Sequence, residues 1–323
     1  MVSKFSTTES ASHVAAKHLG KRITASRQLL QNPYAYLNDT GAYSALLPTE
    51  ETVLVSAASK VTNSSNTASI QDKAFPKLRS KVPGGYAALL RNTKGHSRHT
   101  NIEIERVATD LQRLMWQDRD KIWVDTRISD PIDVLEPSAA FRLIEFDYDL
   151  AETLGQYFSD GKQIEVAGLI DDTVKLVRIS RQFPQDVRKF TAAHELGHAL
   201  LHDARGLHRD RPLNGTTIAR DTVELEADKF ASYFLMPGKL VRARFKQLFA
   251  AEVFSLNEET AFALTRGNSL NLKCDRKTVR DLSRILAGAE SYNGTHFVSL
   301  ASQFGVSTEA MAIRLEELCL LEV

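Results

Sequence analysis

The chain has 323 residues, 43% of them hydrophobic and 25% charged, and its 41 Lys and Arg nearly balance its 40 Asp and Glu. This composition is typical of a large soluble protein, with enough length for two domains or for one domain with appendages. No apolar run approaches the roughly 18 residues of a membrane helix and no signal peptide is recognisable, so we expect a cytoplasmic protein without a membrane partner. The two cysteines, Cys274 and Cys319, do not predict a disulfide framework.

Residues 1–100 form the first predicted region, a basic appendage. They contain 13 Lys and Arg against 5 Asp and Glu, whereas the remaining 223 residues contain 28 against 35. Residues 9–31 can form a helix, and the Ser-, Asn- and Gly-rich stretch 56–97 is typical of a linker or arm. We expect the appendage to be partly disordered or a small helical unit. It either binds DNA, for example single-stranded DNA as an activator, or is a solvated arm without a specific role.

A folded domain is predicted for residues 101–250. Its first element is an amphipathic helix with apolar residues at Ile104, Val107, Leu111, Leu114 and Met115. Pro137 can open another helix, since proline suits the first helical turn. Residues 163–170 and 173–180 predict two strands joined tightly near Asp171, a hairpin that directly precedes the next helix.

That next helix contains an H-E-x-x-H motif, His194-Glu195-Leu196-Gly197-His198, after a proline at position 184. Two histidines four residues apart lie on one helical face and can hold a metal ion together. Glu195 beside them is placed to take a proton from water that such a metal activates. The alternative is a pair of histidines that are merely packed or solvated on a helix.

A catalytic zinc needs a third protein ligand, which we expect from a second helix downstream. Glu224 and Asp228 are four residues apart and share a helical face. We predict Glu224 as the third ligand and Asp228 as the acceptor for the ring N–H of a ligating histidine. Glu226 points roughly 160° away from Glu224 and is predicted to lie on a solvated face. Zn²⁺ suits these ligands, and Mn²⁺ would bind them more weakly.

The loop 203–220 separates the two helices and either rims the substrate groove or is simply solvated, so His202 and His208 receive no catalytic role. Residues 251–323 predict a helical C-terminal region, and 300–313 resemble a helix-turn-helix. From residue 296 onward this end carries one Arg against four Glu, which favours packing or recognition of a protein over contact with DNA. A Cys274 thiolate could occupy the open metal position and hold the site latent, or it is a plain thiol.

The segments HELGHALLH and VELEADKFASYFLMP together resemble the ImmA/IrrE metallopeptidases, a gluzincin type with two His and one Glu on the metal. The resemblance runs from about residue 102 to the C-terminus, and its specific part is 188–237. Asp228 stands where the family pattern usually has Asn, which keeps an acceptor and adds charge. The resemblance implies an α+β fold: a mostly helical zincin-like domain with a small sheet or hairpin before the H-E-x-x-H helix.

The resemblance also implies a function, namely cleavage of a helix-turn-helix repressor that releases stress, mobile-element or anti-phage defence genes. Glu195 would take a proton from the attacking water and deliver it to the leaving amine. One strand of the predicted hairpin is our candidate for docking an extended substrate, unless the hairpin only covers the helix. A second electrophile is not identified, because Tyr233 lies about 180° around the helix from Glu224.

Two other functions remain open. The chain could be a DNA-responsive regulator with a vestigial or structural metal site. It could also be a metal-dependent hydrolase of a substrate other than protein, since such a site polarises other carbonyls.

Overall fold

In a computed structural model of the chain, the residues described are 86, 98–159, 162–202, 207–209, 222–265 and 278–322. Most of the predicted basic appendage, most of the loop 203–220 and Cys274 lie outside these residues. Within them the protein is a mixed α+β structure, mainly helical with small sheets, as predicted.

The first helices are α1 (Asn101–Gln117), α2 (Arg119–Ile122), a 3-10 turn (Pro131–Val134) and α3 (Pro137–Leu143). Helix α1 begins at a capping box, in which Thr100 and Glu103 each accept a hydrogen bond from the other's backbone N–H. Its apolar stripe is buried as the 3.6-residue period requires. Helix α3 begins at Pro137. Both predicted helices are therefore confirmed.

A four-stranded sheet precedes the H-E-x-x-H helix. Its strands are β1 (Asp147–Ala151), β4 (Gly168–Asp171), β5 (Leu176–Ser180) and β6 (Leu207–Arg209), in the order β1-β5-β4-β6. Strand β1 is parallel to β5, and the other two pairs are antiparallel. Strands β2 (Gln156–Ser159) and β3 (Lys162–Glu165) form a separate antiparallel hairpin.

The predicted strand 163–170 is wrong in its extent, because the structure divides it into β3 and β4. Val166 donates its N–H to the Gly155 carbonyl, next to the β2–β3 hairpin, whereas the Ala167 carbonyl accepts from the Ser180 N–H of β5. The backbone therefore changes its pairing partner from β2 to β5 between these two residues. Docking of a substrate along one of the hairpin strands stays a prediction, but two of the candidate segments have no free edge. Strand β5 is paired on both sides, and β4 is paired on both sides from Leu169 to Asp171. Among the described residues, the edges of the four-stranded sheet are β1 and β6.

Three helices follow: α4 (Gln185–Leu201), α5 (Thr222–Leu235) and α6 (Gly238–Phe249). Helix α4 packs closely on α5, and Gly197 makes this approach possible. A Cβ at position 197 would lie 3.1 Å from the Cα and 3.2 Å from the carbonyl oxygen of Ala227, which are backbone atoms. The close contact between the two helices thus favours glycine at this position of the H-E-x-x-H motif.

The C-terminal region consists of β7 (Phe254–Ser255), α7 (Glu258–Thr265), α8 (Val279–Gly288), β8 (Ser291–Tyr292), β9 (Thr295–His296), α9 (Leu300–Phe304), α10 (Thr308–Glu317) and β10 (Leu321–Glu322). Strand β10 returns to pair with β7 in parallel. The helix pair α9–α10 turns at Gly305, whose φ is +64°. Glu309 and Glu316 on α10 accept hydrogen bonds from Arg280 of α8, so these acidic groups serve packing within the protein.

One buried cluster connects α1, the sheet, the α4–α5 pair and the C-terminal helices. Tyr86, from within the predicted appendage, is fully buried in this cluster. The division into 1–100, 101–250 and 251–323 stays a prediction. Tyr86, however, belongs to the same buried cluster as residues from beyond position 100. Within the described ranges, no helix is both long and apolar enough to span a bilayer.

Candidate metal centre

Helix α4 places the H-E-x-x-H residues in its buried half, where all residues from Thr191 to Leu201 are shielded from solvent. The helix begins directly after Pro184, which is its N-cap, with Asp186 in the first turn near the positive end of the dipole. Four-residue spacing then brings the rings of His194 and His198 to the same side of the helix.

The two histidines and Glu224 converge on one point. The Nε2 atoms of His194 and His198 are 2.9 Å apart. The Glu224 carboxylate lies 3.3 Å from His194 Nε2 and 3.8 Å from His198 Nε2. Donor atoms around a tetrahedral zinc are about 3.3 Å apart, given bonds of about 2.0–2.1 Å. The distances between the three predicted ligands lie on either side of this value, so the three residues could hold a metal ion together, and all three are at least partly buried.

Asp228 contacts the far side of one ligand ring. Its Oδ1 lies 2.9 Å from His194 Nδ1, and both side chains are 5% exposed. A histidine that donates Nδ1–H to a carboxylate directs the lone pair of Nε2 toward a metal. The placement of Asp228 agrees with its predicted role.

Glu195 is fully buried and lies against the first residue of β4. A Cβ at Gly168 would be 2.7 Å from Glu195 Oε1, 2.7 Å from the Thr191 methyl carbon and 3.2 Å from Glu195 Cγ. No side chain fits at position 168 without displacing its neighbours. The backbone of β4 thus forms one wall around the Glu195 carboxylate, and the sequence analysis did not identify this glycine.

The prediction that Glu226 lies on a solvated face is wrong. Its side chain is 7% exposed, and its Oε1 accepts the His99 backbone N–H at 3.0 Å. Its Oε2 lies 2.9 Å from His99 Nδ1 and 3.2 Å from His202 Nε2. Glu226 does point away from Glu224 as the helical periodicity predicts, but His99 and His202 contact it on that side of the helix.

The charge states in this second cluster follow from its contacts. Burial raises the pKa of Glu226, but the hydrogen bonds from His99 and His202 outweigh burial and leave the pKa below its ordinary value. Burial lowers the pKa of His202, and the opposing effect of Glu226 does not restore it. The cluster therefore pairs an ionised carboxylate with a neutral His202 imidazole near neutral pH.

Sequence reasoning missed His99 and His202. His202 continues the spacing of four that relates His194 to His198, and this was the available signal. His99 offered none, since it is 127 residues from Glu226. His208, which received no catalytic role, pairs with Ile170 in the sheet. The ring of Tyr233, which was disfavoured as a second electrophile, packs against the Arg314 guanidinium.

Comparison with known protein families gives a match to part of the chain. The family model Peptidase_M78, described as the IrrE N-terminal-like domain, matches residues 141–257. This stretch contains the sheet, α4 and α5, and hence all three converging ligands. No curated protein and no solved structure matches the chain. The matched family supports an enzyme of the metallopeptidase type. The resemblance to the ImmA/IrrE metallopeptidases is thus confirmed for residues 141–257, which match the IrrE N-terminal-like domain.

Proposed function

We propose that the protein is a zinc-dependent endopeptidase in which His194, His198 and Glu224 hold Zn²⁺ and Glu195 is the catalytic base. The observation that carries the proposal is the convergence of three ligand atoms within 4.8 Å of one another, next to a buried carboxylate in the same helix. Two imidazoles and one carboxylate leave a fourth position open, as catalytic zinc sites do. Mn²⁺ would use the same ligands with lower affinity.

A zinc ion held there would supply Lewis-acid chemistry, by acidifying water and stabilising negative charge on the scissile carbonyl oxygen. The Glu195 carboxylate takes the proton from the attacking water and passes it to the leaving amine. Asp228 accepts the Nδ1–H of His194 and keeps that ring oriented. The wall at Gly168 holds the Glu195 side chain in one place.

The substrate we propose is a helix-turn-helix repressor, on the strength of the resemblance to ImmA/IrrE proteins. An extended peptide would pair with a sheet edge. Strand β6 is the better candidate of the two described edges, because it lies next to β4, which contacts Glu195. The basic residues 1–100 are proposed to sense DNA, such as single-stranded DNA, and so to control cleavage.

The test uses purified zinc-loaded wild type, Glu195→Gln and the control Glu259→Gln, which changes an exposed glutamate on α7. Each is incubated with the helix-turn-helix protein encoded beside this gene, with and without single-stranded DNA, and the products are identified by mass spectrometry. We expect one cut by wild type and control, and a loss of about 10²–10⁴-fold in Glu195→Gln. Dependence on DNA would identify the activating signal.

An uncut partner under every condition, with zinc bound and the fold intact, would contradict repressor cleavage. A screen of small ester and amide substrates with the same three proteins then separates a hydrolase of another substrate from a binding protein. Hydrolysis that depends on Glu195 would favour the former, and its absence the latter.

A further inference from the structure

The cluster of His99, His202 and Glu226 lies beside the proposed zinc site and has no part in the mechanism above. Its residues come from three places: the segment before α1, the residue that follows α4, and the middle of α5. The side chains of His99, His202 and Glu226 are 4%, 12% and 7% exposed. The cluster has the same composition as the first site, two imidazoles and a carboxylate, and its ligand atoms also lie within 4.8 Å of one another. It could therefore be a second metal site or a hydrogen-bonded array.

The contact between the two clusters distinguishes these possibilities. His198 Nδ1 and His202 Nδ1 are 3.2 Å apart. When His198 binds a metal through Nε2, its ring proton is on Nδ1, and that N–H has to donate. His202 Nδ1 therefore has to accept, which places the His202 proton on Nε2. The Nε2–H then points at Glu226 Oε2, 3.2 Å away.

A second metal conflicts with this arrangement. If His202 bound a metal through Nε2, its proton would move to Nδ1. Two Nδ1–H groups would then face each other across 3.2 Å, with no acceptor between them. Metal ions in both clusters at once are thus unfavourable. A chain of hydrogen bonds from His198 through His202 to Glu226 instead gives each N–H group an acceptor.

Glu226 is the end point of that chain. It accepts from the Nε2–H of His202, from the Nδ1–H of His99 and from the His99 backbone N–H. Three donors on one buried carboxylate fix its position and compensate for its desolvation. His99 in turn ties the segment before α1 to α5.

We propose that His202, Glu226 and His99 are positioning residues that hold His198 in its zinc-binding tautomer and orientation, and that they do not bind a second metal. This inference rests on the proposed function, since it assumes zinc on His198. Each ligating histidine then has a carboxylate partner. His194 contacts Asp228 directly, and His198 reaches Glu226 through His202.

The experiment measures zinc binding rather than cleavage. The full chain, as wild type, His202→Phe, Glu226→Gln, Glu226→Asp and the control Glu259→Gln, is titrated with zinc against a competing chelator. Bound zinc per chain is counted at saturation. We expect one zinc per wild-type chain and an affinity about 10–100-fold lower in His202→Phe and Glu226→Gln. Glu226→Asp keeps a carboxylate and should recover part of the loss.

Two further measurements separate positioning from general damage to the fold. The Co²⁺-loaded proteins should show a shifted ligand-field absorption spectrum in His202→Phe and Glu226→Gln, because the His198 ring is reoriented. Their metal-free forms should keep the wild-type circular dichroism spectrum. The double variant His202→Phe with Glu226→Gln should lose about as much zinc affinity as either single variant, since both changes break the same chain of hydrogen bonds.

Suppose that the wild type binds one zinc and that the variants keep its zinc affinity and its cobalt spectrum. This result would overturn the inference and leave the proposed function standing. Two zinc ions per wild-type chain and one in Glu226→Gln would overturn it in favour of a second metal site. A folded wild type that binds no zinc would overturn the proposed function, and this inference with it.

Discussion

Replacing Gly168 by alanine tests whether the backbone of β4 positions the Glu195 carboxylate, the proposed catalytic base. The added Cβ would meet Glu195 Oε1 and the Thr191 methyl carbon, each at 2.7 Å. Ordinary contact between such atoms requires about 3.5–4.0 Å, so something has to move by about 1 Å. The Thr191 side chain is β-branched and therefore stiff within a helix, and Glu195 is fully buried.

The expected magnitudes follow from these distances. Overpacking of this kind lowers the free energy of unfolding by about 1–3 kcal/mol. A displacement of about 1 Å at a catalytic group lowers kcat by about 10²-fold. Zinc affinity should stay within about threefold of wild type, because the histidine rings are not contacted. Urea unfolding, peptide cleavage and zinc titration measure the three quantities separately.

Two further variants sharpen the result. Gly288→Ala is the control, since its Cβ would meet its nearest atom, the Thr308 methyl carbon, at an ordinary 3.4 Å. Adding Thr191→Ser to Gly168→Ala removes one of the two clashes and should recover stability without recovering kcat. A Gly168→Ala protein with wild-type kcat would refute the reasoning, and so would one whose activity returns fully with Thr191→Ser.

Two other predictions concern single carboxylates. Asp228→Ala should lower zinc affinity about 10–100-fold, because the Asp228 carboxylate that lies 2.9 Å from His194 Nδ1 is lost. Asp228→Asn keeps an acceptor oxygen and should lose much less affinity. Equal losses in the two zinc titrations would contradict this prediction. Burial raises the pKa of Glu317, but Arg314 and Lys229 outweigh burial and hold it below its ordinary value of 4.5. Since the folded pKa is depressed, this stabilisation is present above about pH 4.5 and is lost as the pH falls through the lower folded value. Thermal unfolding between pH 3 and pH 7 should therefore show a weaker acid dependence in Glu317→Gln, and identical slopes would exclude the effect.

The sequence was sufficient for the parts of the site that depend on helical spacing. His194 and His198 are one turn apart on α4, and Glu224 and Asp228 are one turn apart on α5. Each pair shares a face because the helix repeats every 3.6 residues. Whether the two helices meet does not follow from their spacing; the resemblance to the ImmA/IrrE metallopeptidases indicated that they do.

The errors occurred where distant segments decide the environment. Glu226 was expected in solvent because a helical wheel gives the direction of a side chain but not what covers it. The covering residue, His99, has no local signal. The strand 163–170 was misjudged for a similar reason, since a continuous extended stretch does not reveal that its two halves pair with different partners.

The line of contacts through the site also changes how the N-terminal region has to be tested. The line runs from Asp228 through the proposed zinc ligands to His202, Glu226 and finally His99. His99 lies outside the 141–257 family match and inside the predicted appendage. Tyr86 is likewise buried in the core of the enzyme. A truncation at residue 100 would remove both, so a loss of activity could reflect a disturbed metal site. Only a truncation that ends before Tyr86 can isolate the effect of the basic residues on activation.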